Sequence, residues 1–188
     1  MVEHEMKTIL EGQGIVLRYA MESDIDEYLV MLNDPESTRL TGSQQEFSRE
    51  RIEAWLRKIS IPSDERADFM IVSTETGELI GEVVLNEMDT INRSANIRIG
   101  IQGTAHRGKG YGTEAMRLMI GYGFEKLGLH RIHLGVFVFN PRAIHVYEKL
   151  GFKREGVERD VLYLDGEYQD MIKMSILEDE YRVLYRAE

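Results

Sequence analysis

An alternating apolar run ends at Ile101, glycines follow at 108, 110 and 112, and beyond Thr113 the apolar residues recur at helical spacing. A strand must therefore pass through a glycine-rich turn straight into an amphipathic helix, which confines the chain to folds in which a helix packs back onto a sheet. Glycine lets the backbone curl so that successive N–H groups face one point, and the helix N-terminus adds the positive end of its dipole. Arg107 and Lys109 bring further positive charge to the same loop. The pattern suits an anion, and equally a plain tight turn. It is no Walker loop, which needs Lys followed by Ser or Thr after its second glycine, and no dinucleotide fingerprint, which needs a third glycine where Thr113 stands.

Strands and helices alternate around this loop. The patterns predict a strand over 15–19, a helix over 23–32 ending before the turn at Asn33, Asp34 and Pro35, and a helix over 48–59 capped by Ser48. Ile52, Trp55, Leu56 and Ile59 share one face of the latter. A hairpin over 69–73 and 79–85, turning at 75–78, precedes a strand over 95–101. A helix over 113–127 presents Met116, Met119, Ile120, Phe124 and Leu127 together, and a strand over 132–139 alternates Ile132, Leu134, Val136 and Val138. A short helix opens at Asn140 and Pro141 and stops at Gly151, and two last strands flank the hairpin signal Asp165-Gly166. The sum is an α/β (α+β) architecture, a mixed sheet with packed helices. Its 188 residues fit one domain, 1–188, with residues 1–12 a less ordered N-terminal extension.

Composition narrows the function classes. Zero cysteines exclude disulfides, thiolate metal sites and a covalent intermediate on the protein's own thiol. A net charge of -10 repels nucleic acid and weakly favours a cationic partner, although on charge alone solubility is the stronger account. No apolar run approaches the ~20 residues of a membrane span, and residues 1–14 lack the charge and apolar stretch of a signal peptide, so the expected address is cytoplasmic and off the membrane. The one close histidine pair, His130 and His133, has an odd offset that puts the rings on opposite strand faces; no metal is expected.

A second motif follows about thirty residues after the loop: Asn140-Pro141, Tyr147 and the Leu150-Gly151-Phe152 block. Together with Arg107-x-x-Gly110-x-Gly112, it resembles the GNAT acetyltransferase superfamily, with the likeness running from about residue 79 to 177. The resemblance is nearest the ribosomal-protein N-terminal and the spermidine/spermine branches, through Gly81, Asn92, Ala95, Gly128, Arg131, Gly166 and Asp170. It implies a central mixed sheet of about seven strands with helices on both faces, and acetyl-CoA as cosubstrate. It implies that Arg107, Gly108, Lys109, Gly110, Tyr111, Gly112 and Thr113 cradle the pyrophosphate, and that the main chain of Ile99, Gly100 and Ile101 bonds the pantetheine arm. Asn140 would bind the same arm, and Tyr147 would face the thioester sulfur as general acid. Taken singly, Asn140 also reads as a helix N-cap, a job compatible with the other, and Tyr147 reads first as a core residue on the stripe it shares with Ile144 and Leu150.

The implied acceptor is a primary amine on a protein N-terminus or a small cationic molecule, with a polyamine as the alternative substrate; relatives commonly form homodimers. A different class, a non-catalytic acyl-CoA sensor or an assembly subunit, would use the same cofactor residues without an acid at the sulfur. Departures from the pattern bear on the amine. Asn96 stands where relatives often carry a glutamate, and Val84 where the polyamine branch has an acid. Glu82 and Glu87 remain as candidate proton acceptors, or as ordinary solvated strand carboxylates.

Overall fold

The computed structural model describes residues 8–61 and 63–185. Its frame is one sheet of eight strands: β1 (Thr8–Glu11), β2 (Ile15–Arg18), β3 (Ala67–Ser73), β4 (Leu79–Asp89), β5 (Ser94–Ile101), β6 (Arg131–Phe137), β7 (Lys153–Leu164) and β8 (Glu167–Leu177). They lie side by side in the order β1-β2-β3-β4-β5-β6-β8-β7. All neighbours are antiparallel except β5 and β6. Eight strands agree with the expected sheet of about seven. Thr8–Glu11, read from the sequence as part of a loose extension, pairs with β2; the remainder of that extension, residues 1–7, lies outside the described residues.

Helices cover both faces. α5 (Tyr111–Glu125), α6 (Pro141–Lys149) and α7 (Glu178–Tyr185) lie on one, and α1 (Ile25–Leu32) and α3 (Arg49–Ile59) on the other. The strands explain the two layers, since alternate side chains leave opposite faces. In β3, Phe69 and Ile71 join the core of Met116, Met119 and Ile120 from α5, whereas Met70 and Val72 join that of Tyr28, Met31, Ile52 and Leu56. Contributing apolar side chains to both layers, β3 is buried along its whole length. At Gly123 α5 lies close to the sheet, for a Cβ there would lie 2.8 Å from Cδ1 of Ile132.

Several boundaries differ from the expectation for local reasons. Asp34 and Pro35 do not merely end a turn: the Asp34 side chain accepts from the Ser37 N–H and caps a further helix, α2 (Pro35–Thr41). The helix expected from residue 23 begins as a 3-10 turn, Glu22–Asp24, tied to β2 by two Arg18–Asp24 bonds of 2.7 Å. α7 was absent from the sequence reading because its apolar face is short; Tyr181 holds it by stacking on Phe124 at 4.8 Å between ring centres. A last short helix, α4 (Gly103–His106), precedes the glycine loop.

Candidate active site

The parallel neighbours β5 and β6 pair only at Ser94–Arg131, Ala95–Ile132 and Asn96–His133. Beyond those rungs β5 continues to Ile101 against β4 alone, and β6 continues to Phe137 against β8 alone. A wedge therefore opens in mid-sheet, and its two edges present main-chain groups without a ladder partner, as an exposed sheet edge does. The glycine loop lies at the open end.

The edges are not uniform. The Gln102 N–H donates to the Ile80 carbonyl at 2.9 Å, so by the alternation of an antiparallel ladder Gly100 and Arg98 also turn their main-chain groups to β4. Ile99 and Ile101 turn theirs into the wedge, and Nη2 of Arg107 takes the Ile101 carbonyl at 3.2 Å. Of the three residues expected to offer main-chain bonds there, Ile99 and the N–H of Ile101 face the wedge, and Gly100 faces away.

In the loop, Gly108 and Gly110 hold φ of 83° and 87°, a region L side chains rarely adopt. Gly110 caps α5 without any side-chain hydrogen bond, so the first N–H groups of α5, at Tyr111, Gly112 and Thr113, have neither an intrahelical partner nor a capping one. A Cβ at Gly110 would meet open space, and one at Gly112 would touch Cγ1 of Ile101 at 3.4 Å. Lys109 is exposed beside them. This donor set fits an anionic group such as the pyrophosphate of coenzyme A.

Arg107 does not join the set. Its guanidinium reaches back to α2, 2.8 Å from Oγ of Ser37 and 3.3 Å from Asp34, with Glu36 as a further ionic partner. The bonds from Ser37, and then the Arg107 charge, hold the Asp34 carboxyl below its usual range. The residue that opens the loop motif is thus a strap between the loop and α2.

On the α6 side, Oδ1 of Asn140 accepts the Ala143 N–H at 3.2 Å, the N-cap bond, and leaves the Nδ2 donors for a ligand. Tyr147 is partly buried in the core it shares with Ile99, Ile101 and Tyr111. Burial pushes its phenol up to about 12, so it carries its proton at neutral pH. Its hydroxyl has no hydrogen-bond partner among the described residues.

The two candidate proton acceptors separate. Glu82 sits opposite Gly100, alongside the open part of the wedge, and its Oε2 accepts from the Tyr28 hydroxyl at 2.6 Å. Burial raises its carboxyl above the ordinary range, against the opposing pull of the Tyr28 bond and the Arg98 charge. Glu87 lies five residues further on, roughly 16 Å along an extended strand. It is exposed, at a φ of 53°, in the bulge of β4 toward the paired end of the wedge. Asn96, at that same end, donates its amide to Oδ1 of Asn86 at 2.8 Å. Sequence reasoning missed Tyr28 and Arg98, because only the α1–β4 packing and the strand register reveal their nearness to Glu82. Among the described residues, no group of three or more His, Cys, Asp or Glu could hold a metal ion.

A mixed sheet split between its fourth-to-fifth parallel pair, counted from β2, with an anion cradle at the mouth of the split, defines a class of α/β protein that can admit an extended, phosphate-bearing ligand. The sequence agrees: the family described as acetyltransferase (GNAT) domain matches residues 15–153, and the chain belongs to that family. It is 40% identical over 118 residues, 63% of its length and 66% of the relative's, to a spermidine N(1)-acetyltransferase of Vibrio cholerae. It is 38% identical over 105 residues, 56% of its length and 57% of the relative's, to a putative ribosomal N-acetyltransferase of Bacillus subtilis. The matched segments thus span less than two thirds of those relatives. The crystal structure of spermidine N-acetyltransferase from Vibrio cholerae in complex with CoA and spermine superposes with a TM-score of 0.82 at 30% identity, covering 90% of this chain and 98% of that one. Among the described residues no helix is long and apolar enough to cross a membrane.

Proposed function

We propose that this chain is an N-acetyltransferase that moves an acetyl group from acetyl-CoA directly to a primary amine. The observation that carries the proposal is the wedge: unpaired strand edges end at an unfilled row of helix N–H donors, with a protonated phenol on one face and a desolvated carboxylate on the other. Acetyl-CoA supplies an activated acyl carbon. The α5 N-terminus and Lys109 hold its phosphates, and Ile99 and Asn140 align its arm along the split. Glu82 receives the proton that the attacking amine loses as the C–N bond forms. Tyr147 delivers its proton to the sulfur as the C–S bond breaks, so that charge and atoms balance with free thiol and amide as products. Burial suits both residues to these roles, raising the carboxyl above its ordinary range so that it holds a proton more readily, and keeping the phenol protonated.

The acceptor that fits best carries a single positive charge near the reacting nitrogen, such as a protein N-terminus or a small amine. Arg98 is exposed on the same strand face, one rung from Glu82, and its cation opposes a second positive charge there. A polyamine is the second reading, favoured by the spermidine acetyltransferases among the relatives. A soluble, cytoplasmic enzyme acting on such amines accords with both.

The test is thiol release from acetyl-CoA against a panel of peptides with different first residues, amino acids, aminoglycosides and polyamines. Turnover is expected with at least one of them, and Tyr147→Phe should lower it by ~10² or more while acetyl-CoA affinity stays near that of the parent. No turnover with any amine would instead identify an acyl-CoA sensor, and an undiminished Tyr147→Phe enzyme would remove Tyr147 as the acid.

A further inference from the structure

With Arg107 turned away to α2, the phosphate cradle lacks the arginine that its sequence motif implies. Another arginine stands opposite. Arg142, in the first turn of α6, approaches the loop so closely that a Cβ on Gly108 would come within 3.4 Å of its Nη2. It is exposed, and no carboxylate lies within ion-pairing distance of it among the described residues. Its position is also electrostatically unfavourable, because the first turn of a helix carries the positive end of the dipole, and no acidic residue occupies that turn of α6 to compensate. An unpaired cation against a helix N-terminus, facing a second helix N-terminus across two left-handed glycines, concentrates positive potential at one point on a chain of net charge -10.

We infer that Arg142 is a cofactor-binding residue, closing the cradle from the α6 side and bonding the phosphate groups of coenzyme A in place of Arg107. This rests on the acetyl-CoA reading above. The guanidinium fork matches phosphate oxygens in pairs, which a lysine at the same position matches only as a point charge. Arg142 takes no part in the proton transfers, so its contribution is to binding and not to the chemical step.

The experiment is calorimetric titration of coenzyme A and of dephospho-coenzyme A, which lacks the 3′-phosphate, into the parent protein, Arg142→Ala, Arg142→Lys and Lys149→Ala. Arg142→Ala is expected to weaken coenzyme A binding about 10- to 100-fold, as loss of a charged hydrogen bond does. Arg142→Lys should recover part of the affinity, Lys149→Ala on the far turn of the same helix should match the parent, and kcat of Arg142→Ala at saturating acetyl-CoA should hold within about twofold. A loss seen with both ligands assigns Arg142 to the pyrophosphate; a loss with coenzyme A alone assigns it to the 3′-phosphate. Parental affinity in folded Arg142→Ala overturns the inference and leaves the acetyltransferase reading standing. Failure of the parent protein to bind either ligand overturns both.

Discussion

Replacing Tyr28 by phenylalanine removes one oxygen from a side chain that is 2% exposed, and so tests the proton acceptor with little change in packing. That hydroxyl donates to Oε2 of Glu82 at 2.6 Å, and the bond stabilises the carboxylate against the burial that raises its pKa. A hydrogen bond to a charged group contributes about 1.5–3 kcal/mol, and one pKa unit corresponds to about 1.4 kcal/mol, so Tyr28→Phe should raise the Glu82 pKa by about one to two units. If Glu82 must be ionised to take the amine proton, the acid limb of kcat/KM against pH moves to higher pH by that amount. Initial thiol-release rates at subsaturating amine measure it, and repeating them with a second amine separates the enzyme's limb from the substrate's own ionisation. Glu82→Gln should abolish the limb and lower the rate by ~10² or more. Coincident acid limbs for Tyr28→Phe and the parent would refute Glu82 as the acceptor. Stability provides a separate check. Because the folded pKa of Glu82 lies above its unfolded value, its ionisation costs stability as pH rises through that interval. Glu82→Gln should accordingly melt higher than the parent at alkaline pH, with the difference vanishing below about pH 4, where both states are neutral.

Two further outcomes follow from the geometry. Gly110→Val should fold with a modest loss of stability, about 1–2 kcal/mol for a side chain at a φ of 87°, yet lose coenzyme A binding by calorimetry, since the added methyls project where the anion must sit. Normal binding by the folded variant would mean that the loop is only a turn. Glu155, held down to about 2 by paired 2.6 Å bonds from Arg131 and one from Ser175, contributes stability above its unfolded pKa that is lost as pH falls from there toward about 2. Both partners are a third or more exposed, so Glu155→Gln should cost about 1 kcal/mol or less in urea unfolding at neutral pH and nothing near pH ~2.

What the sequence determined by itself was local. Period and punctuation place the strand, glycine loop and helix of the cradle, because φ above zero demands glycine and an amphipathic helix must bury one stripe. The same logic marks Asn140 as a cap, Ser48 as another and Asp165-Gly166 as a hairpin, and each forms as read. The two motifs in their correct order identified the family.

The tertiary structure decided everything that depends on which residues meet across the chain. The split between β5 and β6 is a matter of register between strands thirty-odd residues apart, and no window of sequence encodes where a parallel ladder stops. Arg107 reads as a phosphate ligand until α2, itself hidden behind a proline that looked like a terminator, supplies Asp34, Glu36 and Ser37 as its partners. Glu82 and Glu87 are alike as carboxylates on one strand; burial against Tyr28 and a bulge at the strand's end make them different. Hydrogen bonding and desolvation act over a few ångströms of space regardless of sequence distance. The glycine loop, and Tyr147 and Glu82 as candidates, were therefore legible from their own residues, whereas the burial that separates Glu82 from Glu87 and the cation facing the loop became visible only once the chain was folded.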